Sequence, residues 1–405
     1  MNLQLRPIFS ALMRTKIALF LITLQIALTL AIVCNALFLV AHRVELMARP
    51  SGVDEANTFV VTSLGFGPRY DVRASVREDL ALLRGLPGVS DATAINRIPM
   101  GRGGWSNGIA LARDQASPTT TSAMYMVDEH AVGALGLELV DGRDFNAGEV
   151  EFRDLRDPQW PPGVIVSQAL AERLFGTVHV SGRQIYLDPR AAPNTILGVV
   201  RRLQAPWLDT DETEYSTLVP QVRPYGLESR YLVRAQAGRR DEIMARAEAA
   251  LVHANPNRIV RDLLSMHEVR AQGYKADRMM AAILALVIAL LLGVTALSTV
   301  GLASFWVAQR TRQIGTRRAL GATRFDILRY FQAENFIVTT FGLLVGGVLA
   351  YVFSLWLMRT YQAPRLPWYY VPIGYVSLWL LGQIAVLGPA LRAARVPPAV
   401  ATRSV

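Results

Sequence analysis

The chain has 405 residues, 52% of them apolar and only 18% charged, a balance that fits a polypeptide solvated partly by lipid. Its net charge of +10 invites a nucleic-acid-binding reading, yet residues 41–278 carry 28 basic against 30 acidic side chains, and the rest of the chain carries 14 against 2. The basic excess therefore flanks the apolar runs, where it sets topology, and a nucleic-acid footprint is excluded.

Residues 1–16 form a basic lead-in with Arg6, Arg14 and Lys16. The first apolar run, 17–40, is long enough to span a bilayer. It reads as a retained anchor, because it is too long for a signal peptide and lacks a small-x-small exit. Cys34, the one cysteine, lies within it, so no disulfide within the chain or cysteine metal site can form. Pro50-Ser51-Gly52 ends the helix and opens a large segment, 41–278, on the far side of the membrane.

That segment reads as two similar halves with an insert. The first half, about 57–100, gives a strand at 58–62, a helix at 72–86 with Val76, Leu80 and Leu83 on one face, and a strand at 89–95. The second half, about 218–265, repeats this order at 231–235, 241–254 and 259–263. Two such βαβ units predict a ferredoxin-like sandwich. The insert, about 101–217, is β-rich; within it a buried strand leads to Ser167 as N-cap, a short helix, and Gly176 at the C′ position. Residues 266–278 predict a helical stalk continuous with the second span, 279–307.

A basic segment, 308–335, separates that span from the third, 336–358. It holds Arg310, Arg312, Arg317, Arg318, Arg324 and Arg329 against Asp326 and Glu334. Thr323 and Asp326 have capping-box spacing after Gly321, and Phe325 with Leu328, then Ile327 with Phe331, share a helical face. The third span carries Gly342-x-x-x-Gly346, a spacing that permits close helix approach, either within the subunit or at a dimer face. A short loop, 359–370, leads to the fourth span, 371–391, whose end Gly388-Pro389 is expected to break. The tail, 392–405, is again basic. The lead-in, the 308–335 segment and the tail belong on the cytoplasmic side.

Two readings of 308–335 compete: an anchor on anionic headgroups, or a docking element for a soluble partner. The run R-x-R-x-I-G-x-R-R-A-L-G-A, residues 310–322, resembles the signature after the second span of MacB/FtsX-type (type VII) ABC-transporter permeases. LGLELVDGRDF (135–145), VSQALAERLFG (166–176) and ILGVVRRL (196–203) resemble the MacB-like periplasmic core domain. The tail resembles the family's P-x-E/D-A-L-R end at Ala399, Ala401 and Arg403, but Val400 replaces the acid.

The resemblance implies an α-helical membrane protein with four transmembrane helices and a large α+β periplasmic domain, in a bacterial inner membrane. It implies that Arg312, Ile314, Gly315, Arg317, Arg318, Ala319, Leu320, Gly321 and Ala322 contact a cytoplasmic ABC ATPase, which would bind the ATP and magnesium. It further implies a second permease subunit, identical or paralogous, and an adaptor with an outer-membrane channel. ATP hydrolysis would drive movement of the periplasmic domains and export of a peptide, lipoprotein or hydrophobic compound. The family also contains signalling regulators of cell-wall enzymes, which is the alternative function.

No catalytic constellation offers itself. G-x-x-x-x-G-K-S/T is absent, and neither lysine, Lys16 or Lys275, follows a glycine loop. His267-Glu268 begins H-E-x-x-H, but Ala271 stands at the second ligand position. His42, His130, His179 and His253 are scattered without ligand spacing. The acidic run from Asp209 to Glu214 and the glycines at 101–104 read as solvated loops. Few ionisable residues lie within the spans, which argues against a polar path through the bilayer.

Overall fold

The structure, a computed structural model of the full chain, describes residues 16–154, 157–208, 212–362 and 364–395. Most of the basic lead-in, Asp209 to Asp211 of the acidic run, and the tail residues Ala399, Val400, Ala401 and Arg403 lie outside the described residues. The chain divides into two compact units, residues 1–47 with 277–405, and residues 48–276.

The first unit begins with α1, Lys16–Ala48, which takes in Arg43 and Glu45 and stops before Pro50-Ser51-Gly52. The second unit then opens with β1 (Thr58–Gly65), α2 (Val72–Gly85) and β2 (Val89–Ala94). Asp71 caps α2 by accepting from the backbone N–H groups of Arg73 and Ala74, and Val76, Leu80 and Leu83 turn inward as their spacing requires. The insert supplies β3 (Ser106–Ile109), β4 (Thr120–Met126), α3 (Ala131–Leu135), β5 (Leu139–Gly142), β6 (Glu151–Phe152) and β7 (Gly163–Ser167). It continues with α4 (Gln168–Phe175), β8 (Gln184–Ile185), β9 (Asn194–Val200), β10 (Ser216–Val219) and β11 (Gln221–Val222). The chain returns through β12 (Glu228–Ala235), α5 (Arg240–Ala254), β13 (Arg258–Ser265) and α6 (Met266–Gly273).

The two halves share one antiparallel sheet in the order β13-β1-β12-β2. With a helix after β1 and another after β12, this is the expected ferredoxin-like arrangement. Phe59 lies opposite Val233 and Val61 opposite Tyr231, so these residues share one sheet face and build the core with Leu83, Ile243 and Leu251. Asp79 enters that core from α2, accepts from Tyr231 Oη at 2.7 Å and pairs with Arg258. Burial pushes the Asp79 carboxyl up, and the bonds from Arg258 and Tyr231 act against that push.

The insert forms a second sheet, ordered β3-β4-β10-β7-β9-β5 with β8 beside β9. β10 and β11 pair with β4 and β6, so the insert extends to residue 222 rather than 217. Gly176 ends α4 with φ +70°, as expected. Ser167 does not cap that helix with its side chain. Its hydroxyl donates to the Glu214 carbonyl at 2.7 Å and accepts from the Ser216 N–H at 3.1 Å, because the adjacent strand presents partners to a buried strand end.

The expected stalk is not one helix. α6 ends at Gly273, and a new helix starts at Lys275. A Cβ at Gly273 would lie 2.5 Å from the Met100 carbonyl oxygen, so the break sits where only glycine fits. Glu268 and Ser265 form a capping box at the start of α6, which gives the His267-Glu268 pair a structural use.

The first unit resumes with α7 (Lys275–Gln309), α8 (Thr311–Ala319), α9 (Arg324–Tyr361) and α10 (Tyr370–Ala394). α1, α7, α9 and α10 are each long and apolar enough to cross a bilayer. α9 joins the second half of the basic segment to the third span in one continuous helix. α10 likewise passes through Pro389 to Ala394; the proline removes one backbone donor, and burial of Pro389, Ala390 and Ala393 holds the helix together. Gly342 and Gly346 serve packing within the subunit: a Cβ would lie 2.9 Å from Ile26 or from the Ala27 backbone of α1. α1 is also tied to α7 by Thr29–Thr295 at 3.0 Å and Gln25–Ser298 at 3.1 Å, and to α9 by Asn35 donating to the Ala350 carbonyl at 3.0 Å.

Candidate functional site

The basic segment folds as helix, turn, helix. α8 ends at Ala319, and Gly321 takes φ +98°, the left-handed conformation that lets the chain reverse. Thr323 and Asp326 then form the predicted capping box at the start of α9. The nine residues singled out from the sequence divide between two sides of this element. Ile314, 5% exposed, and Gly315 face inward, where Ile314 packs with Ile327, Phe331, Val386 and Ala390. Arg312, Arg317, Ala319, Leu320 and Gly321 face outward, and Arg318 and Ala322 are half-buried. Ile314 and Gly315 thus position the element rather than offer themselves at its surface.

The arginines are also not equivalent. Arg318 donates to the Ala394 carbonyl at 3.0 Å, satisfying the last turn of α10 at the negative end of its dipole. Arg317 lies over the Tyr330 ring with 4.8 Å to its centroid. Arg310 donates to both carboxylate oxygens of Glu334, at 2.9 and 2.8 Å, and Glu334 is almost fully buried. Both bonds come from Nη1, and this charge-assisted pair clamps the start of α8 to α9. Sequence reading did not assign the clamp. Its only sequence signal was a lone acid, Glu334, at the end of a basic stretch.

What the surface presents is an apolar tip in a basic rim. Leu320 is 83% exposed and Phe325 66% exposed. Arg312, Arg317, Arg324 and Arg329 are exposed on the same element. Of the two apolar pairs expected on one helical face, Ile327 and Phe331 are buried, whereas Phe325 points outward. A rigid helix–turn–helix with exposed leucine and phenylalanine at its bend is suited to insertion into a cleft.

Two of the histidines weighed from the sequence have local carboxylate partners. His130 Nδ1 lies 2.8 Å from Asp91, and His179 Nδ1 lies 3.4 Å from Asp141. Among the described residues, no three His, Cys, Asp or Glu side chains converge as metal ligands.

Four spanning helices, a ferredoxin-like α+β unit with a β-rich insert, and a basic helical hairpin between the second and third spans define a multi-pass membrane permease. Residues 20–251 match the MacB-like periplasmic core domain, and residues 285–398 match the FtsX-like permease C-terminal family. The chain belongs to the MacB/FtsX family of ABC-transporter permeases.

Among similar proteins, an uncharacterized ABC transporter permease, YknZ of Bacillus subtilis, is 28% identical over 59% of this chain and 61% of its own length. The macrolide export ATP-binding/permease protein MacB of Chromobacterium violaceum is 25% identical over 65% of this chain and 40% of its own. The chain thus matches less than two thirds of the length of either relative. Among solved structures, the periplasmic region of MacB from Actinobacillus actinomycetemcomitans aligns over 56% of this chain and 97% of its own, with 13% identity and a TM-score of 0.32. The extracellular domain of YknZ aligns over 50% and 99%, with 16% identity and a TM-score of 0.31.

Proposed function

We propose that this chain is the permease subunit of an ABC-type complex and that a separate cytoplasmic ATPase, carrying the ATP and magnesium, docks on the hairpin formed by α8 and the start of α9. The observation that carries the proposal is the exposed Leu320–Phe325 tip within its arginine rim, on an element held rigid from behind by Ile314 and the Arg310–Glu334 clamp. The absence of a P-loop lysine from the sequence fits a non-catalytic chain. The basic segments flanking the spans support an orientation with both termini and the hairpin on the cytoplasmic side of a bacterial inner membrane and residues 48–276 in the periplasm.

Closure of the ATPase dimer would pull on the hairpin and, through α7, on α6. Arg270 of α6 donates to both Glu55 oxygens, at 2.7 and 2.6 Å, and to the Arg49 carbonyl at 2.9 Å. Force arriving at α6 is thereby shared with the strand that enters the ferredoxin-like sheet. A second permease subunit, identical or paralogous, would complete the machine; α7 leaves its spanning window only 6% buried, which gives such a subunit an apolar face to cover. The seven-stranded insert supports work on a periplasmic cargo, exported through an adaptor and outer-membrane channel. The test is co-purification from native membranes of the wild type and of a Leu320→Asp, Phe325→Asp double variant. Loss of an ATPase subunit with unchanged membrane insertion is expected. Full recovery of the ATPase in the variant would overturn the docking assignment.

A further inference from the structure

The 48–276 unit contains a cleft of about 380 Å³ where the end of β2, the edge of β4 and the 222–230 segment meet. That volume lies within the range of small-molecule sites, roughly 300–1,000 Å³. Its walls combine apolar side chains, among them Met126, Val222 and Trp105, with three arginines, Arg97, Arg223 and Arg230.

The lining holds these three arginines and one carboxylate, Glu228. Arg230 is neutralised by Glu228, which also pairs with Arg261. Arg223 is 5% exposed and has no ion pair among the described residues. Its Nη2 donates to the Gln159 carbonyl at 2.7 Å, its ring neighbour is Trp160 at 5.4 Å, and its Nε finds no partner among the described residues. The acids that act on it through space, Asp157 and Glu151, also pair with Arg153, at 2.7 and 2.5 Å, and lie outside the cleft lining. Arg97 also lacks an ion pair among the described residues and lies 5.9 Å over the Tyr225 ring. A guanidinium stays charged, and Arg223 keeps an unused donor, its Nε, among the described residues. Here it lines a cleft with a second free cation at the rim and a 62% exposed tyrosine beside it.

We infer that this cleft is a binding site for a small amphipathic anion, with its carboxylate or similar headgroup between Arg223 and Arg97 and its apolar body along Val222, Met126 and Trp105. Tyr225 would cover the entrance. The inference stands apart from the ATPase-docking reading, because it concerns only the 48–276 unit and its test uses no nucleotide.

The test is calorimetric titration of the full-length chain in lipid nanodiscs, with empty nanodiscs as reference, using 2-naphthoate, decanoate and the neutral 2-naphthylmethanol. Saturable binding of naphthoate, decanoate or both is expected, at least tenfold tighter than the neutral analogue. Binding of naphthoate alone assigns an aromatic ligand, and of decanoate alone an acyl chain. Arg97→Gln and Tyr225→Ala alter exposed or half-exposed side chains and keep the fold testable; Arg97→Gln should weaken anion binding about tenfold and leave the neutral probe unmoved. Arg223→Gln should abolish it if that variant folds. Equal affinity for neutral and anionic probes, anion binding unchanged by Arg97→Gln, or no saturable binding of either anion would each overturn the assignment.

Discussion

The two units bury polarity in different ways. In the 48–276 unit, full charges go inside: Asp79 with Arg258 and Tyr231 in the sheet core, and Asp128 with Arg84 and Thr93 nearby. Between the spans, the cross-helix bonds described above are made by hydroxyl and amide groups, Thr29–Thr295, Gln25–Ser298 and Asn35 to a carbonyl. The ion pairs of the helical unit among the described residues, Arg43–Asp277 and the buried Arg310–Glu334, lie outside the apolar runs 17–40, 279–307 and 336–358. Lipid cannot solvate a charge that a helix movement exposes, whereas water can reach an opened sheet edge. Under the proposed mechanism, neutral ties would let the spans move in a sealed bilayer, with ionic locks kept elsewhere.

The largest test of this contrast is Asp79→Ala. It leaves Arg258 buried without its carboxylate and should destabilise the 48–276 unit by about 3–5 kcal/mol, read as a lower protease-resistance midpoint of residues 48–276. An unchanged midpoint would show that the ionic core is dispensable.

Gly346→Leu comes next. A side chain there meets the α1 backbone, so a loss of about 1–3 kcal/mol is expected in thermal melts of the detergent-solubilised chain. Gly293→Leu on α7 has open space within the subunit and should leave the melt unchanged. If both variants behave alike, the α1–α9 contact is not the close one described.

The pH responses of the two ionic locks should have opposite signs. Burial alone would raise Glu55, but Arg270 and Ser51 outweigh it and hold its carboxyl below the ordinary 4.5. Its contribution is therefore present above 4.5 and is lost as pH falls through the lowered value. Asp79 is held above the ordinary 3.8, so its contribution is full below 3.8 and is lost as pH rises through the raised value. Hydrogen exchange, corrected for intrinsic rates, should show residues 51–58 and 266–273 opening on acidification while α2 around Asp79 tightens. The reverse order would contradict the assigned partners.

The smallest effect belongs to the neutral ties. Thr29→Val combined with Thr295→Val in a double-mutant cycle should give a coupling of only about 0.6 kcal/mol. A coupling of several kcal/mol would erase the distinction between the units.

Sequence alone determined the four spans, since about 20 consecutive apolar residues allow few other fates, and it determined the ferredoxin-like halves through the repeated strand–helix–strand order and the apolar helix face of Val76, Leu80 and Leu83. The capping box at Thr323 and the turn at Gly321 were legible because they are local backbone chemistry. Tertiary structure decided what depends on neighbours distant in the chain. Ile314 and Leu320 are both aliphatic residues of one motif, yet one is buried and the other exposed, because only the packing of α9 and α10 defines an inside. The partners of Glu334, Ser167 and Arg223 have no local signal either, because the groups that meet these side chains are fixed by how the helices and sheets pack.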